Sequence, residues 1–265
     1  MNILYIGDVM GEMGMLAVEK LLPALRKDRA IDLVLAQVEN VSEGRGITPE
    51  DFARLQKAGV DFGTGGNWSL WREEINDTMS DPEAPIVRPA NYPEDTPGLP
   101  YKYAHTPKGD VLVVSLMGQV VGRDADKPVD NPLRAIDKIL ADESVDKRVA
   151  TVVNLHGDFS SEKFIFGYYL DGRVSAVVGD HWHVPTADAD VLPKGTAHIT
   201  DVGMCGSLDS SLGVTFDSVL PRWRDGVQTR NVLEASGRTQ FNALLVTVDE
   251  AAGKATAVEH IRQVY

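Results

Sequence analysis

The stretch Ile31-Asp-Leu-Val-Leu-Ala-Gln-Val-Glu-Asn40 decides the fold. From Ile31 to Val38 it is almost continuously apolar and too short for a globular helix, so it reads as a strand buried on both faces. It runs out abruptly into Glu39-Asn40. Upstream, Asn2 to Gly7 has the same character, and between the two strands Met15 to Asp28 carries apolar residues at helical spacing. Pro23 should kink that helix or shift its start. Downstream, Thr48-Pro49 supplies N-cap and first-turn chemistry for a helix to about Ala58, and Val60 to Thr64 returns as a third strand. The order is β-α-β-α-β, which predicts parallel strands with helices packed over them, a layered α/β/α core.

The pattern continues along the chain. Asp81 to Pro100 holds six of the fourteen prolines and predicts an ordered, irregular excursion that serves as a lid or an oligomer contact. Tyr101–His105 and Val111–Leu116 read as a hairpin, Pro132 to Asp142 as a helix, and Val149 to Leu155 as a buried strand. Ser161 to Leu170 reads as a helix and Val174 to Val178 as a strand ending at Gly179. From Thr196 onward the pattern turns to strands, closing with Asn242–Val248 and Thr256–Ile261 as an edge pair. There is no linker-like tract, repeat or composition break, so residues 1–265 read as one α/β domain.

Composition narrows the partners. With 26 Lys+Arg against 39 Asp+Glu the formal charge is −13. No basic run exists to displace counterions, which argues against long nucleic acid and leaves room only for a small anion in a locally positive pocket. The most apolar stretch, Val111 to Val121, is far short of the roughly 20 residues that cross a bilayer and is broken by Ser115, Gly118 and Gln119. The N-terminus lacks a basic n-region and meets Asp8 early, and Cys205 is the only cysteine, so neither a secretory signal nor an intrachain disulfide is expected. A cytoplasmic protein is the default reading, with homo-oligomerisation left open.

The informative pattern is where polar residues fall relative to the strands. Five strands run out into metal-capable side chains: Asp8, Glu39-Asn40, Asn67, His156, and Asp180-His181-Trp182-His183. In open α/β sheets ligands gather beyond the carboxyl ends of strands, so these groups should meet in one crevice. Singly, each has a bland reading. Gly7-Asp8 is ordinarily a turn, and a lone His156 is ordinarily a satisfied core histidine. Agreement across five strands is what carries the inference.

Oxygen and imidazole donors suit Mn²⁺, Fe or Zn²⁺. Seven candidates exceed the needs of one catalytic ion, and Glu39 can bridge two. His181 and His183, two apart, would project to the same side of an extended backbone. His105 and His260 lack such context and read as solvated. Gly63-Thr64-Gly65-Gly66 does not complete a dinucleotide fingerprint, and neither a P-loop nor a serine elbow is present.

Gly7-Asp8-Val9, Glu39-Asn40, Gly66-Asn67, His156 and His181-x-His183 resemble the motif series of calcineurin-like metallophosphoesterases. Arg88 to Gly98, Asp171 to Gly179 and Leu192 to Met204 narrow the resemblance to the bacterial YmdB-like branch. It implies a four-layer α/β/β/α sandwich, a dinuclear Fe or Mn centre, and hydrolysis of phosphodiesters including 2′,3′-cyclic nucleotides. By position it implies Asp8, Asn40 and His183 on one ion, Asn67, His156 and His181 on the other, and Glu39 between them.

One position departs. The family pattern reads Gly-Asn-His, that histidine protonating the leaving group, whereas this chain reads Gly66-Asn67-Trp68. An indole N–H is no useful acid. His198 and Asp158 are the candidate replacements. Trp68 is otherwise a pocket-wall hydrophobe or a stacking platform for a nucleobase, and Trp71 and Trp182 admit the same two readings. Two functional classes follow: a phosphodiesterase with reduced or altered activity, and a catalytically weakened protein that binds a nucleotide or phosphate to regulate a partner. A purely structural role gives no reason for seven candidate ligands to be present.

Overall fold

The computed structural model describes residues 1–119, 129–143 and 147–265. In chain order its first half comprises β1 (Asn2–Ile6), β2 (Asp8–Val9), α1 (Gly11–Asp28), β3 (Leu33–Gln37), α2 (Pro49–Ala58), β4 (Phe62–Thr64), α3 (Asn76–Ser80), β5 (Ile86–Val87), β6 (Tyr101–Thr106) and β7 (Gly109–Met117). Then follow α4 (Pro132–Asp142), β8 (Ala150–His156), α5 (Ser160–Tyr169), β9 (Ala176–Asp180), β10 (Asp190–Val191), β11 (Ala197–Ile199), β12 (Met204–Ser207), α6 (Phe216–Asp225), β13 (Thr239–Asp249) and β14 (Lys254–Val264).

These strands form two sheets. The first runs β2-β12-β13-β1-β3-β4-β5 with β14 on the far side of β13, and the second runs β10-β11-β9-β8-β7-β6. Strand alternation explains why they stack. Ile3, Tyr5, Leu33, Leu35 and Phe62 from the first sheet meet Val111, Val113, Val152, Val178 and Ile199 from the second in one buried layer. The alternate residues Leu4, Ile6, Val34 and Ala36 face α1 and α2, packing on Val18, Leu22, Phe52 and Leu55. On the opposite side Leu112, Val114, Val153 and Leu155 meet Ile136 of α4 and Phe166 of α5. Each fully buried side chain of this size contributes roughly 1.5–3 kcal/mol, and central strands buried on both faces read as apolar runs. The order of layers is α/β/β/α, one sheet more than strand-helix alternation alone implied.

Local chemistry sets the boundaries. Thr48 caps α2 by accepting from the Asp51 amide, Pro49 occupies the first turn, and Gly59 ends the helix at φ 111°. α1 begins at Gly11, four residues before the expected Met15, and continues through Pro23. β13 is not an edge strand, because it pairs with β1 and β12 as well as β14. α6 was not expected from the sequence. Among the described residues no helix is long and apolar enough to cross a membrane. The apolar stretch from Val111 forms β7 as far as Met117, and Val120 and Val121 lie outside the described residues.

The proline-rich segment joins the two sheets, and this placement does not suit a lid. Ile86 and Val87 extend the first sheet beside β4, and Pro89 bridges to Ser115 of β7 in the second. Asn91 donates to the Met117 carbonyl and accepts from its amide. Arg88 is buried and donates to the carbonyls of Pro89, Thr96 and Gly98. Replacing Arg88 by Met removes a charged donor from all three carbonyls and leaves those of Thr96 and Gly98 without one, while Pro89 keeps only the Tyr92 amide at 3.5 Å, so stability should fall by about 2–3 kcal/mol. That predicts a drop of roughly 4–12 °C in calorimetric Tm, and an unchanged Tm would contradict the structural role assigned to Arg88.

Candidate metal centre

The two sheets end at a common mouth. Asp8, Glu39, Asn40 and Asn67 come from the first sheet or the loops directly after its strands, while His156, His181 and His183 come from the ends of β8 and β9. All seven candidate ligands reach this mouth. Glu39, His156 and His181 bring one donor atom each within 4.8 Å of one another. His156 Nε2 is 3.0 Å from Glu39 Oε1, and the His156 and His181 rings sit edge to face at 4.4 Å. One terminal atom of the Asn67 amide lies 2.8 Å from His156 Nε2 and 3.2 Å from Glu39 Oε1. Separations of about 3 Å match the edge of an octahedron with bonds of about 2.1 Å.

The other half is built around orphaned acceptors. Asp8 Oδ2 accepts from the His181 amide at 3.2 Å, whereas Oδ1 is buried with no hydrogen-bond partner among the described residues. His183 Nε2 lies 3.8 Å from that oxygen. Asn40 spends its Nδ2 on the Gly44 carbonyl, and its buried Oδ1 is likewise unpartnered among the described residues. His183 Nδ1 faces the Leu212 carbonyl at 3.2 Å, which places the proton there and the lone pair on Nε2. Unpaired buried acceptors cost free energy, and a cation among them would satisfy Asp8, Asn40 and His183 together.

Charge supports the same reading. Burial and the Asp180 charge push the Asp8 carboxyl well above its ordinary range. Burial would lower His156, but the Glu39 and Asp180 carboxylates outweigh it and hold the imidazole in its protonated form. Burial and the neighbouring His181 bring His183 down to about 4, so it is neutral at pH 7 and its lone pair is free.

Backbone geometry is specialised here. Gly66 has no alternative, since a Cβ would collide with Glu39 Oε2 and lie 2.7 Å from the His156 ring. His181 and His183 adopt left-handed φ of 100° and 63°, not the extended backbone expected for His-x-His. Non-glycine residues hold such angles at a cost of about 1–3 kcal/mol each. The anchors are visible. Trp182 donates its amide to Asp201 and its indole N–H to the Asp158 carbonyl, and buried Lys163 donates to Asp201 Oδ2 and the Asp180 carbonyl.

The sequence names Asp180 only as part of its motif, without a role. It accepts from His156 Nδ1 at 2.7 Å, Asn154 Nδ2 at 2.6 Å, Tyr5 Oη at 2.9 Å and Gln37 Nε2 at 3.1 Å. This fixes the His156 ring and turns Nε2 to the mouth, the carboxylate–histidine pairing that supports metal ligands. The signal lay in the alternation. Ala176 and Val178 face the inter-sheet layer, so Asp180 had to enter it as a buried acid.

The two candidate acids separate. His198 is buried under α5, its Nδ1 on the Val177 carbonyl and its ring against Gly167, so it is not placed to protonate a leaving group. Asp158 does line the mouth, with Oδ1 3.1 Å from His181 Nε2. A cavity of about 540 Å³ opens over Glu39, Asn40, His181 and His183, with Trp68, Asp158 and Trp182 in its walls. Trp68 donates its amide to Glu39 Oε2, and its indole Nε1 meets the second terminal atom of the Asn67 amide at 3.0 Å. Asn67 Oδ1 has two partners within reach, His156 Nε2 at 2.8 Å in one amide orientation and the Trp68 indole N–H at 3.0 Å in the other, and an ion between Glu39 and His156 would draw it to the first side. Trp68 therefore competes for a ligand oxygen.

Comparison with known proteins agrees with this architecture. The family model for YmdB-like proteins matches residues 4–261. A Bacillus subtilis (strain 168) protein named 2′,3′-cyclic-nucleotide 2′-phosphodiesterase is 36% identical over 98% of this chain and 96% of its own. The crystal structure of a hypothetical protein from Thermus thermophilus superposes with TM-score 0.90 at 37% identity, covering 100% of this chain and 99% of that one. A Mycoplasma pneumoniae structure described as a novel phosphatase gives TM-score 0.92 at 27% identity, covering 100% and 93%. By a family match running almost end to end and a full-length relative of this identity, the chain belongs to the YmdB-like family.

Proposed function

We propose that this protein is a dinuclear metal-dependent phosphodiesterase for small phosphodiesters such as 2′,3′-cyclic nucleotides, slowed on poor leaving groups because Trp68 occupies the proton-donor position. The observation that carries it is the convergence of buried, unpartnered acceptors at Asp8 and Asn40 with the Glu39–His156 cluster at one mouth. The name of the Bacillus relative supports the substrate class. Asp8, Asn40 and His183 would hold one ion, Asn67, His156 and His181 the other, and Glu39 both. Oxygen and imidazole donors favour Fe or Mn and admit Zn.

Such ions, when bound, polarise phosphoryl oxygens and make water acidic near neutral pH. The protein's own groups set the rest. Asp180 accepts from His156 Nδ1 and the Leu212 carbonyl accepts from His183 Nδ1, which turns each Nε2 to the mouth. Asp8 on β2 and Glu39 in the turn after β3 would each supply a carboxylate to the ions. The departing alkoxide finds Trp68 where the family places an acid, and a missing general acid costs roughly 10²–10⁴-fold, about 3–5 kcal/mol of barrier.

Metal-loaded protein should therefore cleave aryl phosphodiesters, whose phenolate leaves unassisted, with less impairment than 2′,3′-cyclic nucleotides. Equal rates on the two classes would refute the missing acid. Tight nucleotide binding without turnover of either would select a binding role and overturn the enzyme reading. Trp68→His should raise kcat on cyclic nucleotides by about tenfold or more at equal metal content, and no gain would count against this account. Asp180→Asn, which weakens the anchor of His156, should lower metal affinity by about 10–100-fold in competition with a chromogenic chelator. An affinity that does not move would remove Asp180 from the centre.

A further inference from the structure

The cavity over the candidate centre does not end there. It shares Gly44, Arg45, Arg222 and Asn231 with a second cavity of about 760 Å³ that runs out past Trp71. Each cavity alone falls in the range of roughly 300–1,000 Å³ that holds a small ligand, so together they have room for more than one nucleotide.

The lining of the second cavity opposes the charge of the chain. The protein carries −13, yet Arg45, Arg72, Arg222 and Arg230 line this groove against one carboxylate, Glu43, which Arg72 already pairs at 2.9 Å. Arg222 is spent on the Thr229 carbonyl and the Asn231 side chain, shaping the wall. Arg45 and Arg230 have no carboxylate partner among the described residues. The Arg45 guanidinium lies 4.5 Å from the Trp68 ring and 5.4 Å from that of Trp71, and the two indoles pack edge to face at 5.0 Å. Trp71 keeps 56% of its surface exposed in a protein with only four tryptophans.

Guanidinium groups without carboxylates beside an open indole are the elements that bind single-stranded nucleic acid, the cations taking phosphates and the ring a base. We propose that this groove is a subsite for the neighbouring nucleotide of a short single-stranded oligonucleotide, Trp71 stacking its base and Arg45 with Arg230 taking the phosphates. The inference rests on the phosphodiesterase reading and extends it from mononucleotides to substrates of two or three units. An acidic peptide would satisfy the arginines but not the indole.

Calorimetry with the metal-loaded protein tests it, using dAMP and the phosphorothioate-linked dimer and trimer of deoxyadenylate. Affinity should rise about tenfold or more from monomer to dimer, and Trp71→Ala should abolish most of that gain. Arg230→Ala, a second exposed site, should reduce the dependence of log Kd on log salt by about 0.7 for one lost phosphate contact. Equal affinity for monomer and dimer, a gain that survives in Trp71→Ala, or a hexaglutamate peptide that displaces the dimer would overturn the proposal. Length-dependent binding without hydrolysis of any phosphodiester would uphold the groove and sink the phosphodiesterase reading, so the two fail separately.

Discussion

Four carboxylates, Asp8, Glu39, Asp180 and Asp201, are almost wholly removed from water at one mouth, and the buried cationic groups among them are Lys163 and His156. Burying an ion costs several kcal/mol unless it is paired and hydrogen-bonded. Lys163 answers Asp201, and His156 lies between Glu39 and Asp180. That leaves Asp8 with an orphaned oxygen beside a neutral histidine, Asn40 with another, and a net negative balance that positive charge would relieve. Much of the surrounding architecture is what it takes to hold this arrangement.

Neither sheet builds the site alone. The first contributes mostly oxygen donors and the second the histidines, so the centre exists only while the inter-sheet layer keeps Tyr5 and Asp180 in register across it. The proline-rich segment belongs to the same arrangement, because Arg88 ties its own loop together and Asn91 fastens it to the second sheet, while Tyr92 donates to the Gly66 carbonyl beside the ligands. The left-handed turns at His181 and His183 follow as well. Their cost is borne by Lys163, Asp201 and the Trp182 anchors, whose strength comes from burial. Stability and site geometry are here one problem.

Much of this was legible in the sequence because it is local. Apolar runs marked β1, β3 and β8, Thr48-Pro49 and Gly59 marked α2, and the polar residues just past the strands marked the ligands. What was missed depends on partners far along the chain. β13 is central because Asn2 lies opposite Thr247, a pairing that no local pattern announces. α6 escaped because only Val219 of its ten residues is buried and Pro221 falls inside it, where a proline argues against a helix. The His-x-His geometry could not be read, since left-handed φ at histidine depends on a buried Lys163–Asp201 pair. His198 illustrates the converse error, for its motif position suggested chemistry while alternation along β11 turns it away from the mouth and under α5.

The most direct test of the central claim is crystallography of protein soaked in Mn²⁺, with anomalous difference maps recorded for that ion. The account predicts two peaks roughly 3.5–4 Å apart, one against Asp8, Asn40 and His183, the other against Asn67, His156 and His181, with Glu39 between them. A single peak would contradict the dinuclear centre, and a map with none at that mouth would contradict the claim that these buried acceptors exist to hold cations.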